Sequence, residues 1–126
     1  MSLATSKSNI KAIFLIISML FMAILATTAQ AATSTAILSY ESSKSGPNIP
    51  VHDGGVSFSS FNESRSVDRL EASIRKSLAV LPDPYAYFRI DPPGTGVSTW
   101  VSLEPSSYYA YAYSPSKIYA RVSISN

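Results

Sequence analysis

One run of apolar residues constrains this chain more than any other feature. Val67, Leu70, Ile74, Leu78 and Leu81 stand 3, 4, 4 and 3 residues apart. At about 100° per residue the five side chains fall within roughly 80° of one another, the narrow stripe of an amphipathic helix. The spacing predicts a helix over 64–81. Ser64 or Ser66 would cap its start with a hydroxyl. Asp68 early and Arg75 and Lys76 late suit the helix dipole. Glu71 and Arg75 would form an i, i+4 pair. Pro82 would force Leu81 out of helical geometry and end the element.

Around this helix the pattern is that of strands. Residues 36–40 read as one strand, residues 41–50 as a loop rich in Ser, Gly and Pro, and His52-Asp53-Gly54-Gly55 as a tight turn. Residues 56–61 alternate Val56, Phe58 and Ser60 against Ser57, Ser59 and Phe61. Beyond Asp83-Pro84 the period is two throughout. Four strands follow, at 85–90, 97–103, 108–113 and 117–125, with a turn at Ser114-Pro115-Ser116 joining the last two. Short connections suggest an antiparallel meander. The fold class expected is α+β: the helix packed on one face of an antiparallel sheet of about four to six strands. This order of elements is loosely analogous to that of cystatin-like inhibitors, although their Gln-x-Val-x-Gly hairpin motif does not occur.

The first 31 residues are expected to be a cleaved secretory signal peptide. Lys7 and Lys11 form a positive start, residues 12–26 are almost unbroken apolar sequence, and Ala29-Gln30-Ala31 is a small-x-small cleavage site. The apolar run is 15 residues long, short of the roughly 20 that span a bilayer, so no stable membrane insertion is expected after cleavage. The absence of cysteine excludes a lipid-modified cysteine anchor. The remaining residues, 32–126, form a single small exported domain, secreted or periplasmic, which must be stabilised by packing without disulfides. The formal net charge of the 126-residue chain is +2, and both extra positives are Lys7 and Lys11. The exported part is balanced, which argues against a nucleic-acid partner.

Motifs for catalysis are sparse. The chain has no Cys nucleophile, no Gly-rich phosphate loop, no His-Glu pair at helical spacing and no Ca²⁺-loop spacing. His52, the only histidine, stands beside Asp53. A small secreted hydrolase using His52 and Asp53 is therefore one alternative, although the pair supplies too few ligands for a tight metal site. Asp83, Asp91 and Glu104 each adjoin a proline and read as turn residues rather than a glycosidase pair. No cofactor is expected.

The stronger signal is aromatic. If Ala86, Phe88, Ile90, Val97, Val101, Leu103, Ile118, Val122 and Ile124 face the helix, period two puts Tyr85, Tyr87, Trp100 and Tyr119 on the opposite face. Ala110 and Ala112 would lie beneath the helix, and Tyr109, Tyr111 and Tyr113 would join the outer face with Arg89 and Arg121. Tyr, Trp and Arg dominate interface hot spots, and aromatic rings among hydroxyls also suit sugars. The expected function is an exported, non-enzymatic binding protein recognising an extracytoplasmic protein or glycan partner through these nine residues, with an inhibitor or antibacterial factor as special cases. Self-association of Tyr-rich strands into a homo-oligomer is the remaining alternative.

Overall fold

A computed structural model describes residues 31–52 and 54–126. The expected signal segment up to residue 30, and Asp53, lie outside the described residues. Among those residues every element is a strand: β1 (Thr33–Ser45), β2 (Ile49–Val51), β3 (Gly55–Asn62), β4 (Leu70–Lys76), β5 (Tyr85–Asp91), β6 (Gly96–Ser102) and β7 (Ser106–Ser125). All pairings are antiparallel, in the order β5-β4-β7-β3-β6, with β1 and β2 also paired to β7. The fold is therefore all-β, a sheet curled into a half-barrel, and the expected α+β arrangement with a packed helix is overturned. The analogy with cystatin-like inhibitors falls with it.

The stretch 64–81 shows why. Leu70, Ala72 and Ile74 are fully buried and alternate at period two within β4, which is bonded to β5 on one side and β7 on the other. The other members of the helical stripe are outside the core: Val67 is 80% exposed and Leu81 68%. Leu70 and Ile74 satisfy both periods at once, because four residues is one helical turn and also two strand repeats. The composition decides between them. Serines at 64, 66, 73 and 77, with Val67 and Ile74, are weak helix formers whose hydroxyls or branched chains favour other backbone states. Ser66 does not cap a helix. Its hydroxyl donates to the carbonyl of Tyr119 and accepts from the Tyr119 N–H, both at 3.0 Å, so it extends the ladder onto β7. Glu71 bonds Arg69, at 3.6 Å, rather than Arg75.

β7 organises the sheet. One of its edges carries β2 at Ser106–Tyr108 and β1 from Tyr111 to Ser125. The other carries β4 at Tyr108–Tyr113 and β3 at Ala120–Ser125. Ser114-Pro115-Ser116 is not a turn. It lies between the β4 and β3 pairings, opposite an irregularity in β1 where the register jumps between Glu41–Ile118 and Ser43–Tyr113. No ladder there requires the N–H that Pro115 lacks, so the strand runs through it. For the same reason residues 41–50 are mostly strand: β1 follows β7 as far as Ser45, and Ile49–Val51 forms β2.

The core lies on the concave face. β7 contributes Tyr108, Ala110, Ala112, Ile118, Ala120, Val122 and Ile124, with Ala36 and Leu38 from β1, Val56 and Phe58 from β3 and Val101 from β6. The small residues of β7 face other strands of the sheet, not a helix. The two arms, β4–β5 and β3–β6, meet over this core. The Tyr87 ring stands edge-on to Phe58 with centroids 4.9 Å apart. Buried Asp91 accepts from Ser60 Oγ at 2.5 Å and from Arg89 Nε at 2.7 Å, and Asn62 Nδ2 donates to the Asp91 carbonyl at 3.0 Å. These contacts invert the expected parity of β5. Tyr87, Arg89 and Asp91 face inward, and Ala86, Phe88 and Ile90 face solvent.

Candidate functional site

The convex face carries the side chains that the core leaves out, in two zones divided by the middle of β7. The first covers β5, β4 and the leading half of β7. Cross-strand pairs place Arg75 beside Tyr109 and Tyr85, Ser73 beside Tyr111 and Phe88, and Glu71 beside Tyr113 and Ile90. The Arg75 guanidinium lies over two rings, 4.7 Å from the centroid of Tyr85 and 4.9 Å from that of Tyr111. Such stacking holds a cation in place without a carboxylate. Tyr85 in turn meets the edge of Phe88 at 5.5 Å.

The loop between β4 and β5 extends this zone. Residues 78–82 are Leu-Ala-Val-Leu-Pro, all exposed, with Val80 at 90%. Five consecutive exposed apolar residues are unusual on a small domain, whereas scattered ones need no explanation. The base of the loop is fastened at four points. Lys76 N–H donates to the Pro84 carbonyl at 3.0 Å and Ser77 N–H to Ser107 at 2.9 Å. Asp83 takes the Leu78 N–H at 2.8 Å on one oxygen and the Tyr109 hydroxyl at 2.7 Å on the other. These two bonds, the Leu78 amide foremost, hold the Asp83 carboxyl below the usual carboxylate range. Burial, helped by Asp83, pushes the Tyr109 hydroxyl up. Asp83 therefore stays ionised, and an acceptor for both donors, to lower pH than a free carboxylate does.

The second zone covers β1, the trailing half of β7, β3 and β6. Register sets Arg121 between Ile37 and Phe61, in a groove of about 490 Å³ that Glu63, Arg65 and Tyr119 also line. One wall is a stack: the Arg65 guanidinium lies 3.5 Å from the Tyr119 ring centroid, and Tyr40 packs on Tyr119 with centroids 5.9 Å apart. Tyr40 reaches this outer position because β1 has a register shift between Ser39 and Glu41. Tyr40 there adopts a φ of 57°, a left-handed conformation that bulky residues rarely take.

The nine expected site residues do not form one surface. Tyr85, Tyr109, Tyr111 and Tyr113 lie together in the first zone. Tyr119 and Arg121 lie in the groove of the second, and Trp100 stands apart on β6. Tyr87 and Arg89 are on the concave side, holding Phe58 and Asp91. Phe88, Ile90 and the 78–82 loop are hidden from the sequence pattern, which places Phe88 and Ile90 in the core and ends the expected helix at Leu81-Pro82. The signal for β5 lies in Ser60 and Asn62 on the inner face of β3, which need polar partners: Asp91 supplies them, its carboxylate to Ser60 and its carbonyl to Asn62. His52 is exposed beyond β2. Among the described residues no group of three His, Asp or Glu side chains is placed to hold a metal ion, and no helix is long and apolar enough to cross a membrane. No protein-family model, curated protein or solved structure matches the chain.

Proposed function

We propose that the protein is an exported, non-enzymatic binding protein that takes a protein partner on its first convex zone, with the 77–84 loop as the projecting anchor. One observation carries the reading: an exposed apolar loop tip that is fastened at its base by Asp83. Exposed apolar surface costs solubility and stability, and its usual compensation is a partner that covers it. A fastened loop loses less conformational entropy on binding than a free one. Tyr85, Phe88, Ile90, Tyr111 and the stacked Arg75 surround it with the residue types of interface hot spots. A protein fits this zone better than a glycan, because Arg75 already occupies faces of Tyr85 and Tyr111 that a sugar ring would need. Export rests on the N-terminal signal features of the sequence.

Affinity capture from the extracytoplasmic fraction of the source cells, with the mature protein as bait, tests the reading. Leu81→Asp is expected to keep the wild-type melting temperature and to weaken binding by about 2 kcal/mol or more. Val67→Asp, exposed but on the far side of β4 in sequence, is expected to bind normally. A partner that binds Leu81→Asp as well as wild type would contradict the assignment.

A further inference from the structure

The second convex zone carries a pattern of its own. Register aligns Thr35, Ser123, Ser59 and Ser98 across β1, β7, β3 and β6, and aligns Thr33, Ser125, Ser57 and Trp100 in the neighbouring row. Seven of these eight outward positions carry a hydroxyl. Thr35 and Ser123 bond through their hydroxyls at 3.0 Å, and Thr33 donates to Ser125 Oγ at 3.4 Å. Strands are about 4.8 Å apart and successive rows about 6.8 Å, so the hydroxyls form a regular grid. Each hydroxyl both donates and accepts. The grid offers no apolar pocket for a peptide side chain, but it matches a ligand that is itself covered in hydroxyls.

The borders of the grid add two functions. Trp100 closes one corner, 57% exposed, and among the described residues no ring or cation stacks on it. Its face is open, unlike those of Tyr85, Tyr111 and Tyr119. On the opposite side the third row begins with Ile37, Arg121 and Phe61, in the groove described above. Glu63 is taken by Arg65, at 2.8 Å. Among the described residues no carboxylate lies within ion-pair distance of Arg121. The groove therefore has a net positive charge, with an exposed guanidinium that has no carboxylate partner among the described residues, flanked by the half-exposed side chains of Ile37 and Phe61. A guanidinium in that setting favours a carboxylate held by two parallel hydrogen bonds.

We infer that this zone binds an acidic oligosaccharide. Trp100 stacks on one sugar ring, the Ser/Thr grid bonds the hydroxyls of the chain, and Arg121 receives the carboxylate of a uronic acid. By strand geometry Trp100 and Arg121 are roughly 16 Å apart, so the ligand is several monosaccharides long. This site is independent of the loop and its protein partner.

The test is an array of uronic-acid oligosaccharides printed beside their carboxyl-reduced counterparts, with oligoglutamate as a charge control, probed with the mature protein. At least one acidic oligosaccharide is expected to bind ten-fold or more tightly than its reduced form. Arg121→Gln should erase that difference, and Trp100→Ala should weaken both forms while the melting temperature of each variant stays near wild type. The inference is overturned if no acidic oligosaccharide is retained or if the reduced forms bind equally. It is also overturned if oligoglutamate competes fully and Trp100→Ala has no effect, which would mean attraction by charge alone.

Discussion

Asp91 is the only charged residue that is buried among the described residues, at 0% exposure. A carboxylate in that position must have its oxygens and its charge satisfied. Ser60 and Arg89 satisfy them, the latter through Nη2 at 2.6 Å as well as Nε. Partial burial alone would pull Arg89 down, but its bond and attraction to Asp91, together with those to Tyr87, outweigh this and leave it raised. Asp91→Ala would strand the guanidinium and the serine hydroxyl beneath the meeting point of the two arms. Breaking a buried pair from one side costs about 3 kcal/mol or more, so thermal melting of this variant should show a large loss of stability. Asp91→Ala melting like wild type would mean that the Asp91 carboxylate, with its bonds to Ser60 and Arg89, does not fasten the arms. The same cluster explains the inverted parity of β5. An aspartate next to Pro92 reads as a turn residue from sequence, and only the polar inner end of β3 reveals its role.

At the scale of elements, β4 is where sequence periodicity and structure part. Leu70 and Ile74 fit helix and strand equally, and the choice rests on their neighbours. The helical reading puts Val67 on the buried stripe and turns Ala72 to solvent. The strand does the reverse: Ala72 is fully buried and Val67 almost free. Ala72→Asp should therefore unfold the domain, because it buries a charge without a partner. Val67→Asp should alter stability by no more than about 0.5 kcal/mol. Urea denaturation of the two variants checks both, and the opposite ranking would restore the helix. Elsewhere the alternation was legible. Val56, Phe58 and Ser60 face inward on β3, and Ile118, Ala120, Val122 and Ile124 on β7, as period two requires. What was not legible was continuity. Ser-Pro-Ser at 114–116 resembles a turn unless the partner strands on both edges are known to stop there.

For the whole molecule, the consequence of a single 20-residue strand bonded along both edges is a division of labour between two faces. The concave face holds the apolar side chains and the Asp91 cluster. The convex face is left with rings, hydroxyls and cations, and the β4–β5 loop projects beyond it. The aromatic character of the outer face could be read from sequence for Tyr109, Tyr111, Tyr113, Tyr119 and Trp100. Its division into a loop-anchored zone and a hydroxyl-lined zone could not, because that depends on which strands flank each half of β7. Under the proposed function the loop tip meets a protein. The most direct measurement places a photo-crosslinking side chain at Leu81, and in a separate preparation at Val67, and irradiates each in the cells that produce the protein. A single protein adduct at position 81, absent at 67, is the predicted result. No adduct at 81, or the same adducts at both positions, would contradict it.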